Sequence, residues 1–412
     1  MKVVILSKSD GRGGAAIVTY RLMEALREQG VDAKMLVAEK LTDSPYVSLA
    51  GSPLSRKWKF LTERLSIFVK NGFDRSTLFK IDTGQSGLPL WRHPLVRQAD
   101  AALIGWVNQG FLSLDGVARI AAMGKKIIWT MHDMWNFTGI CHHAGICRRF
   151  TQCCGDCPLL RKRASSSDLS RKVWKRKELL YGRYPIDFVA VSSWLENLSR
   201  ESGLLGTKNV SLIPNPFPIP VGFIRSERPG DEKRIVFGAA RIDDPIKGFP
   251  IFCEALKVFS ARYPELARKT SVVLYGGIHD PSLLESLALK SKYLGEIHGM
   301  QALREVYDNA DVVVSTSHYE NLPGTLVEGQ AFGCVPVAFD RGGQRDIISN
   351  LQTGYLVEWA DDPVVRAEAV AEGIAWALEH SAELINKMSD SVNSKFSYSA
   401  VASRYLALIR QK

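Results

Sequence analysis

Long hydrophobic runs are missing from this chain. No window of its 412 residues approaches the roughly 18 uninterrupted apolar residues of a membrane-crossing helix. The amino-terminal MKVVILSKSDG reads as strand and turn, without the apolar core of a secretion signal, so a cytoplasmic protein is expected. An excess of charge is also missing: 46% of residues are apolar and 23% charged, which excludes a disordered chain. No internal repeat is visible, only two similar architectures in series. Cysteine is scarce outside one stretch. Only Cys253 and Cys334 lie elsewhere, both in apolar surroundings that suit core thiols. At this length one core is too large, and two domains of roughly 200 residues are expected.

What the chain has is strand–helix alternation. Strand 3–7, a Gly-rich turn, helix 15–29 closed by Gly30 and strand 33–37 open it. Strands 101–104 and 127–131 flank helix 114–123, and strands 188–192 and 210–213 follow. Between 40 and 100 the pattern is weak, although Trp58 to Phe73 can form an amphipathic helix that packs on its own domain or on a membrane. Four prolines between Pro214 and Pro220 fit neither helix nor central strand and suit a linker. Alternation then restarts. Strands 235–239, 271–275, 312–315 and 335–339 interleave with helices 249–259, 282–289, 301–309 and 362–380, and helix 398–410 ends the chain. Such alternation predicts an α/β protein of parallel doubly wound sheets.

Four groups of residues carry chemistry. In STSHYENLPGTLVEGQAFGCVPVAFDRGGQRD, from Ser315 to Asp346, a strand meets a turn and then a helix opening at Pro323 and Gly324. Glu320 lies in the turn and Glu328 on the helix, with free helix N-terminal N–H groups between them. Two carboxylates flanking an anion site suit a ligand with hydroxyls on both sides of a diphosphate, a nucleotide sugar. Arg241 ends a strand and Lys247 sits in the loop beyond, so both cations can point into a crevice at the strand ends. Together they can neutralise a diphosphate without a metal. Near the amino terminus, Gly11 to Ala16 fits the dinucleotide fingerprint poorly, since Lys8, Ser9 and Asp10 separate it from the strand and no suitable acid follows. Gly13 and Gly14 instead permit close backbone approach to a ligand.

The spacing Glu320 to Glu328, with the pair Arg241 and Lys247, resembles the retaining GT-B glycosyltransferases of family 4, which carry a Glu-x7-Glu signature. The resemblance implies two Rossmann-like domains facing across a cleft: residues 1–215 for the acceptor, 216–395 for the nucleotide sugar, and a terminal helix, 396–412, crossing back to the first. It implies that Arg241 and Lys247 hold the donor diphosphate and that Glu328 accepts bonds from the ribose hydroxyls. Glu320 would orient the sugar, and the backbone at Leu322, Pro323, Gly324 and Thr325 would hold the distal phosphate. The first βα turn, with Gly13 and Gly14, would approach donor phosphates and acceptor. A His at the position of His132 would face the donor sugar from the first domain. Trp106 and Asn108 resemble an acceptor-side motif, with Gly105 standing where relatives often carry His.

Five of the seven cysteines fall between Cys141 and Cys157. Cys141, Cys147, Cys154 and Cys157, spaced C-x5-C-x6-C-x2-C, suggest a tetrahedral metal knuckle that favours structural zinc. Cys153, His142 or His143 can replace one ligand; free thiols or a redox pair are the alternatives. The block from His132 to Leu160 resembles a Cys-rich insertion in those family 4 enzymes that build bacterial exopolysaccharides of the colanic-acid kind. From Arg148 to Lys177, ten Lys and Arg residues stand against Asp156 and Asp168, a balance of +8 within a chain of net charge +10. This stretch is a solvated helix face or a docking site for phospholipid headgroups or a lipid diphosphate. The interleaved Arg and aromatic residues of an RNA-binding module are lacking, and no nucleic-acid partner is expected. The expected function is transfer of a sugar from a nucleotide-diphosphate sugar to a glycan acceptor carried on lipid, with no catalytic metal. A nucleotide-sugar epimerase of the same architecture, or a zinc-containing nucleic-acid-binding protein, are the other readings.

Overall fold

A computed structural model describes residues 1–220, 230–297 and 299–411. It divides into two compact units, the first made of Met1–Pro216 with the chain from Val401 onward, the second of Phe217–Ala400.

In the first unit seven strands form one sheet: β1 (Lys2–Ser9), β2 (Asp32–Glu39), β3 (Val47–Leu49), β4 (Ala101–Ile104), β5 (Lys126–Met131), β6 (Ile186–Ala190) and β7 (Val210–Leu212). They lie in the order β3-β2-β1-β4-β5-β6-β7, and every pairing is parallel. Helices α1 (Gly14–Glu28), α2 (Pro53–Lys70), α3 (Pro94–Gln98), α4 (Leu114–Ala121), α5 (Leu169–Arg183) and α6 (Ser193–Arg200) alternate with them. The strands read as near-continuous apolar runs because helices cover both faces, and β4 is buried at all four residues. Gly30 stops α1 with φ +78°, a left-handed conformation that costs glycine no Cβ clash.

The second sheet has six strands: β8 (Lys233–Arg241), β9 (Thr270–Gly277), β10 (Ser291–Tyr293), β11 (Val312–Ser315), β12 (Val335–Phe339) and β13 (Tyr355–Val357). Their order is β10-β9-β8-β11-β12-β13, again all parallel. Helices α7 (Phe249–Arg262), α8 (Pro264–Arg268), α9 (Met300–Asp308), α10 (Gly324–Ala331), α11 (Gln344–Ile347) and α12 (Pro363–Phe396) complete it. Phe237 stacks on Phe252 with ring centroids 4.8 Å apart, at the centre of this core. The last helix, α13 (Tyr398–Arg410), buries Val401, Tyr405 and Leu408, and the Tyr405 hydroxyl lies 2.8 Å from Thr130 Oγ1 on β5.

Two elements differ from the sequence reading. The helix expected over 282–289 is a short 3-10 helix, Pro281–Ser286, followed by the short edge strand β10. The helix expected to stop at His380 runs on to Phe396, because Leu384, Met388, Val392 and Phe396 continue the buried face at four-residue spacing.

Candidate active site

Strand order reverses in the second unit between β8 and β11, and a crevice at their carboxyl ends is where open α/β sheets bind ligands. Both predicted pairs reach this edge. β8 ends at Arg241, whose guanidinium lies 3.3 Å from Asp243 and 3.5 Å from Asp244. Beyond it the loop turns back at Gly248, φ +66°, where a Cβ would stand 2.1 Å from the Thr316 carbonyl oxygen. That close approach docks the Lys247 loop on the end of β11. Thr316 Oγ1 donates to the Lys247 and Gly248 carbonyls at 3.2 and 2.8 Å, and the His318 N–H donates to Ile246 O at 2.8 Å.

This docking brings Lys247 and Glu320 together. The Lys247 ammonium donates to Glu320 Oε1, and Ser317 Oγ donates to the same oxygen at 3.0 Å. The Gly343 N–H donates to the Glu320 carbonyl at 2.8 Å, and Gly342 (φ +71°) passes so near that a Cβ would lie 2.1 Å from it. An ammonium has three hydrogens, so Glu320 occupies one and phosphate oxygens can take others. The half-buried pair, with side chains 26% and 21% exposed, keeps its charges open to a ligand.

Pro323 precedes α10, whose first turn has no side-chain cap and no acidic residue. Leu322, Gly324 and Thr325 are half-buried around it. Glu328 folds back along this turn, its Oε1 4.0 Å from the position of a Cβ on Gly324. Beneath it Tyr275 and Tyr307 share a 2.6 Å hydrogen bond, and Tyr307 also donates to Thr325 O at 3.3 Å. Burial first, then the Glu328 charge, pushes the Tyr275 phenol well above its ordinary range, so both hydroxyls stay neutral supports. The sequence reading missed this pair, and it missed Ser317, Asp243 and Asp244. A run of three hydroxyl residues at a strand end, Ser315 to Ser317, was the available signal.

In the first unit the order reverses between β1 and β4. Asp10, buried after β1, accepts from the Leu41 and Thr42 N–H groups at 2.7 and 3.0 Å and anchors the glycine loop. Gly13 has φ +87°, and both Gly13 and Gly14 face open space. His132, just after β5, lines a small cavity with Thr19, Gly105, Asn215 and Tyr405, and its Nε2 lies 3.3 Å from Thr19 Oγ1. A Cβ on Gly105 would stand 2.8 Å from that same hydroxyl, which is why a histidine does not fit there. The neighbouring Asp133 was not singled out from the sequence, yet it organises the loop. It accepts from Trp106 Nε1 at 2.9 Å, the His142 ring at 2.8 Å and the Trp135 N–H at 2.8 Å. Burial raises the Asp133 carboxyl, but His142 outweighs it and brings the pKa down to about 2.

Burial pulls His132 from 6.5 to about 4, so the folded protein holds a neutral imidazole. The unfolded chain binds a proton near pH 6.5 that the fold refuses until about pH 4. Stability should therefore fall as pH drops through that window, by up to about 3 kcal/mol, and be level above it. Denaturant titrations of His132→Gln between pH 7 and 4 should show a shallower loss than wild type. An unchanged slope would assign the loss to other groups.

Cys141, Cys147, Cys154 and Cys157 all line one small cavity with Ile140 and Phe150. All seven cysteines are free thiols, and among the described residues no group of three or more His, Cys, Asp or Glu is arranged to hold a metal ion. Burial pushes the Cys141 thiol up to about 12 and Cys154 to about 11, so neither supplies a thiolate by itself. Four sulfurs line this one cavity, and the Gly139 N–H donates to Cys154 Sγ at 3.2 Å. His142 is turned to Asp133 instead, His143 is exposed, and Cys153 does not line the cavity. Lys177, counted in the basic stretch from sequence, is fully buried beside this block. It donates to the carbonyls of Trp135, Thr138 and Gly139, the last two at 3.1 Å.

Comparison with known proteins adds the class. Residues 223–394, which fall in the second unit and make up less than half of the chain, match the family model described as glycosyl transferases group 1. The phosphatidyl-myo-inositol mannosyltransferase of Mycobacterium tuberculosis is 27% identical over 188 residues, 43% of this chain and 47% of that protein. The D-inositol 3-phosphate glycosyltransferase of Geodermatophilus obscurus is 32% identical over 142 residues, 32% of this chain and 31% of its own. The aligned part of the chain thus spans about half or less of the curated relatives' length. Among solved structures, Anabaena HepE in complex with UDP and glucose superposes with a TM-score of 0.60 at 15% identity, covering 99% of this chain and 98% of that one. The fold, two parallel-sheet α/β units in series, is GT-B.

Proposed function

We propose that the protein is a retaining glycosyltransferase of the family 4 kind, moving a sugar from a nucleotide-diphosphate donor to a lipid-linked glycan in surface or exopolysaccharide synthesis. The observation that carries it is the junction of Lys247 with Glu320 beside the uncapped start of α10, at the β8/β11 reversal and inside the matched stretch. Arg241 and Lys247 bind the diphosphate, backbone N–H groups from Leu322 to Thr325 hold its distal phosphate, and Glu328 takes the ribose hydroxyls. Glu320 orients the sugar while anchoring Lys247. The glycine loop at Gly13 and Gly14 and neutral His132 serve the sugar and acceptor from the first unit. No separate base is required if the departing diphosphate, held by the two cations, accepts the proton of the incoming hydroxyl on the same face. Retention of anomeric configuration, read by NMR of the product, tests that route, and an inverted product would reject it.

The four cysteines are proposed to hold a structural zinc that orders the loop from Cys141 to Cys157. The basic stretch from Arg148 is proposed to face an anionic membrane surface that presents the acceptor.

Thermal melts with UDP-, GDP-, ADP- and dTDP-sugars test the donor site. One nucleotide class should raise the melting temperature by mass action, and Glu328→Ala and Arg241→Ala should each abolish the shift. A shift that survives both substitutions would place the donor elsewhere.

A further inference from the structure

Helix α2 is built inside out. Its inward face carries Glu63, Arg64 and Ile67, all buried. Both charges have partners: Arg64 Nη2 reaches Asp82 at 2.5 Å, and the Glu63 carboxylate accepts from the Thr83 and Ser86 N–H groups at 2.8 and 2.9 Å. Its outward face is apolar. Leu54, Trp58, Leu61, Leu65 and Val69 fall at i, i+4, i+7, i+11 and i+15, which is one stripe along the helix. They are 78%, 63%, 46%, 61% and 50% exposed, and Phe73, at 60%, extends the row past the helix end. Isolated exposed leucines need no explanation, but a continuous row of this length marks a docking surface.

Charge names the occupant. Glu63 is the only acid of α2 and it points inward, whereas Lys57 and Lys70 are exposed beside the stripe. The carboxy-terminal end of the stripe runs into the basic stretch. The Arg163 side chain packs on Gly72, 3.1 Å from where a Cβ would be, and Arg161 lies 3.5 Å from Asp74. Burial lowers the pKa of the Lys70 ammonium, the inward Glu63 supports its charge, and Arg176 and Lys172 are near enough to oppose it. A second copy of this face would set like charges against each other. We infer that α2 lies in the interfacial plane of an anionic phospholipid bilayer, its Leu54–Val69 stripe among the acyl chains and its flanking cations on the headgroup phosphates. This deepens the lipid-linked acceptor reading and rests on it.

The test is sedimentation of the full chain with phosphatidylcholine vesicles, with and without phosphatidylglycerol. Wild type should bind the anionic vesicles, and a Trp58→Ser, Leu61→Ser, Leu65→Ser variant should bind at least about tenfold more weakly with an unchanged melting temperature. Because these side chains are exposed, the fold tolerates the changes. Equal binding by both proteins would overturn the role of α2 and leave the lipid-linked reading standing. A wild-type dimer that the variant converts to monomer would overturn it in favour of a second copy. No binding to any vesicle would also overturn it; extraction of the sugar-labelled product into organic solvent then judges the acceptor reading separately.

Discussion

Lys247→Ala should lower turnover by about a hundredfold to a thousandfold while leaving the fold intact, the usual consequence of removing one group that stabilises developing charge. The side chain is only partly buried and its loop is held by Gly248 and Thr316 backbone contacts rather than by the ammonium. Loss of the cation acts twice. In the proposed site it removes a counter-charge from the departing diphosphate, and it frees Glu320, whose Oε1 then keeps only Ser317 Oγ of the two donors at that atom. Lys247→Arg should recover part of the rate because charge is retained, although a planar fork cannot reproduce the compact contact. Ser317→Ala should cost far less, since the ammonium still holds the carboxylate. A deficit below tenfold for Lys247→Ala, measured at saturating donor, would remove Lys247 from the path of the reacting charge.

Stripping the Cys block of metal should produce the largest loss of stability. Purified protein should contain about one zinc per chain, and structural zinc of this type contributes on the order of 10 kcal/mol to local folding. Chelation should then lower the melting temperature by about 10 °C or more. Cys154→Ser should do the same and lose the zinc, whereas Cys253→Ser, buried in the second unit, should keep it. The electrostatics favour this. On the proposed zinc reading, four thiolates on one dication would leave excess negative charge, and the buried Lys177 ammonium beside Cys141 and Cys154 would offset part of it. Burial pulls that ammonium down to about 7, while Cys141, Cys154 and Asp133 act to raise it. Three carbonyl acceptors around it favour the protonated form against the burial that opposes it. Protein free of zinc whose melting is indifferent to chelator would show that the thiols simply fill the cavity.

The basic stretch shows where local reading fails. Lys177 counts as surface charge in sequence, because a charged residue in a basic helix is normally solvated. Only the packing of α5 against the loop at Trp135 to Gly139 makes it an internal cation. The same limit applies to α2. Its apolar residues could be assigned to a helix, but whether they faced the sheet depended on Asp82 and Thr83, far along the chain, offering partners to Arg64 and Glu63. Tyr275 and Tyr307 escaped notice for the same reason, being separated in sequence on β9 and α9 and joined by the hydrogen bond between their hydroxyls.

What the sequence by itself determined is what depends on neighbours along the chain. Strands β4, β11 and β12 and helix α13 lie at the residues that apolar run length and periodicity indicate. The alternation also predicted two parallel sheets, since a crossover helix leaves a following strand little choice but to lie parallel. Arg241, Lys247, Glu320 and Glu328 could be named because their spacing resembles family 4, with Arg241 ending a strand, Lys247 and Glu320 in the loops beyond strands and Glu328 on a helix. Tertiary structure alone decided their partners. Lys247 meets Glu320 because Gly248 lets its loop approach Thr316 closely, and Gly342 lets a second loop touch the Glu320 backbone. The contacts of the Lys247 loop join residues more than sixty positions apart, and their energies depend on distance and desolvation, which no local pattern encodes.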